Sequence, residues 1–177
     1  MRKLFGFAIL FALMAFIPAA KTKVIFFGDS ITQAGVQPKG YISVVKELAT
    51  NEGQGENFEF IGAGIGGNKI YDLYLRMEED VLAKNPDVVV IYVGVNDVWH
   101  KSSFGTGTDP DKFEKFYNAV INKLKSKNIK VILCTPACIG EKTDHSNQQD
   151  GDLNRYSNII RSIATKNNCQ LVDLRKL

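Results

Sequence analysis

Cysteine is scarce in this chain, with 3 among 177 residues, and the number is odd. That argues against a small fold stapled by disulfides. Cys134 falls late in one predicted strand and Cys169 just before another. If those strands are parallel neighbours, the two thiols stand roughly 10–17 Å apart, too far for a bridge that needs Cα atoms within about 7 Å. Pro136 favours an extended path between Cys134 and Cys138, so no essential disulfide is expected. An excess of charge of one sign is also lacking, with 22 basic against 19 acidic residues. Nothing in that balance points to nucleic acid or to an anionic membrane. Histidine occurs only 2 times. There is no low-complexity tract, internal repeat or linker, so one domain is expected.

Long apolar runs are absent except at the start. Arg2 and Lys3 precede the continuous apolar stretch Leu4–Ile17, and Pro18-Ala19-Ala20 supplies small residues after it. As a helix, that stretch reaches about 21 Å, short of the ~30 Å of a hydrocarbon core. Residues 1–20 therefore read as a signal peptide, with an uncleaved anchor as the alternative. The expectation is a protein secreted or periplasmic, with no stable membrane insertion after cleavage. The mature domain would be 21–177.

Within that domain short apolar runs alternate with helical patterns. Val24-Ile25-Phe26-Phe27, Val88 to Val93 and Val131-Ile132-Leu133 lack in/out alternation, the mark of strands buried on both faces. Phe58–Ile61 and Gln170–Leu174 are weaker strand candidates. Phe113, Phe116, Tyr117, Val120, Ile121 and Leu124 repeat at helical spacing, behind an Asp109-Pro110 start signal. Ile70, Leu73, Tyr74, Met77 and Val81 form a second such face, and Leu153, Tyr156, Ile160, Ile163 and Ala164 a third. Tyr41–Thr50 predicts a shorter helix. The alternation implies an α/β fold, a parallel sheet with helices on both faces. The sequence reaches Leu177 directly after the fifth strand, which leads us to expect that the domain given is C-terminally incomplete.

In such sheets ligands bind beyond the carboxyl ends of the strands. Three polar, glycine-rich segments fall there: Gly28-Asp29-Ser30-Ile31-Thr32, Gly62-Ala63-Gly64-Ile65-Gly66-Gly67-Asn68 and Gly94-Val95-Asn96-Asp97. A 2-1-3 strand order would bring all three together. An exposed serine hydroxyl can then serve as nucleophile, and acyl transfer needs donors aimed at a developing oxyanion. The backbone N–H of Ser30, a glycine N–H from the second loop and the Asn96 amide could supply them. Taken singly, Ser30 is equally a cap, the glycines a tight turn, and Asn96 a turn former. Gly62, Gly64 and Gly67 also match a dinucleotide fingerprint. That reading fails on spacing, because the next strand ends some 30 residues later instead of about 20, and a strand and helix already precede the loop. No cofactor and no metal are expected.

The three segments, in this order, resemble the nucleophile, second and third blocks of the SGNH, or GDSL-type, hydrolases. The match spans roughly residues 23–174. The resemblance implies a flavodoxin-like three-layer sandwich of strand order 2-1-3-4-5. It implies Ser30 as nucleophile, with Gly67 and Asn96 as oxyanion donors. It further implies hydrolysis of carboxylic esters, often acetyl groups on carbohydrates or short acyl chains on lipids. Asp29, Asp97, Trp99 and His100 are the candidate substrate-binding residues beside these.

The family carries its acid and base as Asp-x-x-His near the C-terminus. Here Asp173 is followed by Lys176 at that spacing. Asp97-Val98-Trp99-His100 has the literal pattern but follows the oxyanion asparagine directly, and His145 lies in the polar stretch Gly140–Asp150. The expectation is that the base lies beyond Leu177, with His100 and His145 as the alternatives. Trp99–Thr108 and Gly140–Asp150 read as long polar loops at the same rim, suited to a glycan ester. A catalytically silent ligand-binding module is the rival class.

Overall fold

A computed structural model describes residues 20–138 and 147–176. The proposed leader, apart from Ala20, and His145 lie outside the described residues. The described chain runs β1 (Thr22–Gly28), α1 (Ser30–Gly35), α2 (Tyr41–Asn51), β2 (Phe58–Gly64), α3 (Ile70–Asp80) and β3 (Val88–Tyr92). It continues through α4 (Val95–Ser103), α5 (Pro110–Lys125), β4 (Lys130–Cys134), α6 (Asp150–Lys166) and β5 (Gln170–Val172). The five strands form one parallel sheet in the order β2-β1-β3-β4-β5. This is the expected three-layer α/β architecture, with helices on both faces.

The continuous apolar runs work because successive side chains enter different cores. Ile25, Phe27, Val89, Ile91, Val131 and Leu133 point into the larger core with Leu73, Met77, Phe113, Tyr117 and Ile160 of α3, α5 and α6. Val24, Phe26 and Val90 point the other way, toward Tyr41 and Ile42 of α2. Burying each such aliphatic or aromatic side chain contributes roughly 1.5–3 kcal/mol. On that second face Tyr41, Tyr92, Ile132, Val172 and Leu174 line an apolar hollow of about 530 Å³.

Register sets the site. Gly28 pairs with Gly64 on one side and with Tyr92 on the other, so β1, β2 and β3 end level with one another. The loops that follow them start from a common edge.

Three local expectations are corrected. Trp99–Thr108 is not wholly loop: helix runs from Val95 to Ser103. Its buried side consists of Asn96, Asp97 and Val98, too few apolar positions to register as a helical period. Asp109 does precede Pro110 at the start of α5, but its side chain makes no cap bond. It accepts instead from Lys101 Nζ at 2.6 Å. Strand β5 stops at Val172, two residues before the expected end. The cysteines Cys134, Cys138 and Cys169 are free.

Candidate active site

Strand β1 passes into α1 through Asp29, whose carboxylate accepts from the Ile31 amide at 2.9 Å. Ser30 is therefore the first residue of a helix, where backbone N–H groups have no partner within the helix. The Ser30 side of this turn is exposed, whereas Asp29 is buried at 1% exposure. Among the described residues the Ser30 amide donates to nothing. Burial pushes the Asp29 carboxyl up to about 6, against the pull of its backbone hydrogen bonds.

The loop after β2 is clamped to this turn. The Ile65 amide donates to the Gly28 carbonyl at 3.2 Å. A side chain at Gly64 would put its Cβ 2.1 Å from the Gln33 nitrogen and 2.5 Å from the Thr32 carbonyl carbon. Only glycine lets β2 approach α1 so closely. A methyl group at Gly66 would come within 4.0 Å of Ser30 Cβ, so this loop runs alongside the serine. Gly67 has φ +76°, a left-handed conformation that glycine adopts without penalty. Its carbonyl accepts from the buried Lys69 Nζ at 2.8 Å, and its amide has no partner among the described residues.

Helix α4 brings the third segment. Asn96 is 2% exposed, and its Nδ2 donates to the Asn68 carbonyl at 3.1 Å, tying this helix to the glycine loop. One of its two amide hydrogens is thereby used and the other stays available. Asp97 turns inward, fully buried, with its carboxylate accepting from the Ile70 amide at 3.2 and 3.3 Å. Ile70 opens α3, so Asp97 fills the place of a cap for that helix. Burial pushes its carboxyl up to about 7, although the Thr108 hydroxyl, the Ile70 amide and the Lys69 charge offset part of the rise.

The outer wall is aromatic. Trp99 is 43% and Phe104 65% exposed, and their rings meet edge to face at 6.5 Å. His100 lies between them, 4.9 Å from Phe104, and its Cε1 is 3.5 Å from where a Gly67 Cβ would be. Partial burial and the Lys69 charge hold His100 below its usual value, with Asp72 pulling the other way. No carboxylate among the described residues is hydrogen-bonded to His100. Gln149 Nε2 donates to Ser102 Oγ at 2.9 Å, so the segment before α6 touches the end of α4.

The structure thus brings Ser30, Gly67, Asn96 and His100 to one edge of the sheet, with Trp99 on the outer wall. Asp29 and Asp97 lie beneath them, holding main-chain amides instead of facing the rim. Sequence reasoning passed over Lys69, Phe104 and Arg76. Arg76 did leave a signal, as a cation next to the buried Met77 on an otherwise amphipathic helix. No group of acidic, histidine or cysteine side chains that could hold a metal occurs among the described residues.

Comparison with known proteins agrees with this fold. Residues 26–177 match the model of the GDSL-like lipase/acylhydrolase family. The crystal structure of the acetyl xylan esterase AlAXEase is 73% identical with a TM-score of 0.84, over 87% of this chain and 78% of that one. The acetylxylan esterase of Geobacillus stearothermophilus is 30% identical, over 85% of this chain and 75% of its own. Structures of catalytic mutants of that enzyme, with a serine, an aspartate or a histidine replaced by alanine, match with TM-scores of 0.76, 0.74 and 0.78. An uncharacterized lipoprotein of Bacillus subtilis, YqeF, is 26% identical over 85% of this chain and 69% of its own. With its three loops in the family's order on the expected sheet, the chain belongs to the GDSL-like lipase/acylhydrolase family and is a carboxylic ester hydrolase.

Proposed function

We propose that this protein removes acetyl groups from a carbohydrate, through an acyl-enzyme on Ser30. The observation that carries the reading is the meeting of Ser30, Gly67 and Asn96 at the level ends of β1, β2 and β3. Two amides without partners among the described residues and a half-used carboxamide lie at the same edge as the exposed Ser30. They are suited to an oxyanion. Ser30 Oγ attacks the acetyl carbonyl, giving its proton to a general base. The ester C–O bond then breaks, the sugar oxygen leaves with that proton, and water releases acetate in a second addition.

The acetyl and carbohydrate parts of the reading draw on the relatives, two of which are acetylxylan esterases. The rim is consistent with them. Trp99 and Phe104 offer ring faces to a sugar, and His100 stands beside the glycine loop. His100 is assigned to this wall and not to the base, because Asp97 is committed to the Ile70 amide and cannot orient it. Export of the protein rests on residues 1–20 and on the likeness to a lipoprotein. No described helix is long and apolar enough to cross a membrane.

The test is Ser30→Ala, assayed on p-nitrophenyl acetate and on acetylated xylo-oligosaccharides. Loss of both activities with an unchanged circular dichroism spectrum is expected. Retention of more than a few per cent would remove Ser30 as nucleophile.

A further inference from the structure

Arg76 stands outside the acyl-transfer steps described above, yet it is bonded to two of the three segments that carry them, and the third is tied to one of these through Asn68. Its side chain rises from α3 and is 14% exposed. Nη2 donates to the Gly28 carbonyl at 2.8 Å and to the Ala63 carbonyl at 3.0 Å. Nε donates to Asn68 Oδ1 at 2.7 Å, and Nη1 to Asp80 Oδ2 at 2.6 Å. The guanidinium carbon lies 4.5 Å from the centre of the Phe27 ring.

Three of the four contacts fall on segments that lead to a candidate oxyanion donor. Gly28 lies two residues before Ser30 and ends β1. Ala63 is the next-to-last residue of β2, just ahead of the glycine loop. Asn68 follows Gly67 directly, and its carbonyl is the acceptor for Asn96 Nδ2. One planar cation therefore ties together the strand that presents the nucleophile, the strand that leads into the loop, and the loop itself. Asp80 balances the charge from the next turn of α3, which makes partial burial tolerable. A lysine could not reproduce this, since a point charge lacks the fixed fork that meets four acceptors at once.

We propose that Arg76 is a positioning residue, which sets the distances among the Ser30 amide, the Gly67 amide and the Asn96 carboxamide. This rests on the reading of those three as the oxyanion donors. The mechanical part, the coupling of the three groups through Arg76, holds whether or not they stabilise an oxyanion, and the two parts can be tested apart.

Arg76→Gln and Arg76→Lys are compared with the unaltered protein by ¹H–¹⁵N spectroscopy and by steady-state hydrolysis of p-nitrophenyl acetate. In both variants the Ser30, Gly67 and Asn96 side-chain signals should shift and broaden, while core amides such as Val89 and Ile91 keep their positions. kcat should fall about tenfold to a hundredfold, the scale of an ångström-level misplacement, with KM changed less than threefold. Guanidinium ion at millimolar concentration should restore part of kcat to Arg76→Ala. Unmoved signals at all three donors overturn the proposal outright. Moved signals with kcat within twofold of the unaltered protein overturn the catalytic part. If Ser30→Ala keeps its activity while the Arg76 variants move the signals, it is the functional reading that fails and the coupling that stands.

Discussion

Asp97 makes a sharp prediction, because it is a fully buried carboxyl whose energetic cost depends on pH. In the unfolded chain it ionises near 3.8, and in the fold at about 7. The folded protein therefore keeps a proton that the unfolded chain has released over most of the interval between. Stability must fall as pH rises through that window, with the full penalty present above about 7. The interval from 3.8 to about 7 corresponds to about 4 kcal/mol, and about 2–3 kcal/mol of that falls between pH 5 and pH 8. Asp29, raised to about 6, acts in the same direction and contributes about 1 kcal/mol over the same range. In Asp97→Asn the amide oxygen still accepts from Ile70, and the new NH₂ can donate to the neighbouring Thr108 hydroxyl. The variant should lose the larger share of the pH dependence and gain on the unaltered protein as pH rises. His100, held low, adds a small opposite slope to both proteins and cancels in the comparison. Urea unfolding at pH 5, 6, 7 and 8 reads the difference. Parallel stability curves for the two proteins would refute the argument that Asp97 holds its proton inside the fold.

The remaining predictions concern the loops. Gly64→Ala forces a Cβ against main-chain atoms of α1 and should cost roughly 1–3 kcal/mol in thermal or urea unfolding. Gly66→Ala meets the end of the flexible Gln33 side chain at 3.2 Å and Ser30 Cβ at an ordinary 4.0 Å, and should leave stability nearly unchanged. Asn96→Ala should lower kcat about 10²–10³-fold with little change in KM, the effect of losing one oxyanion donor. Trp99→Ala and Phe104→Ala should raise KM for acetylated xylo-oligosaccharides while leaving p-nitrophenyl acetate almost unaffected. Equal effects on the two substrates would show that the aromatic wall does not contact sugar.

Much of this protein was fixed by sequence patterns that need no knowledge of the fold. The two-sided apolar runs at Val24–Phe27 and Val88–Val93 can only sit in a sheet covered on both faces, and that is where they lie. The helical periods at 70–81, 113–124 and 153–164 likewise survive into α3, α5 and α6, because each buries one continuous stripe. Ser30 and Asn96 were legible as candidates because each follows a strand, and strand ends converge in a parallel sheet; Gly67 was singled out among the loop glycines by the family resemblance. What the sequence left open were matters of direction and partner. Asp97 and His100 stand three residues apart on α4, yet one turns in to the Ile70 amide and the other out to the rim. Short-range spacing could not separate those fates, since the Ile70 amide that donates to Asp97 and the glycine loop beside His100 lie 27 or more residues away in the chain. Arg76 was passed over in the sequence, because the Gly28 and Ala63 carbonyls come within its reach only in the folded chain. α4 itself has too few apolar positions to declare a helix alone. It forms because β3 delivers it to a place where Asn68 and Ile70 meet its buried polar side chains, and an interaction of that kind exists only once the strands have paired.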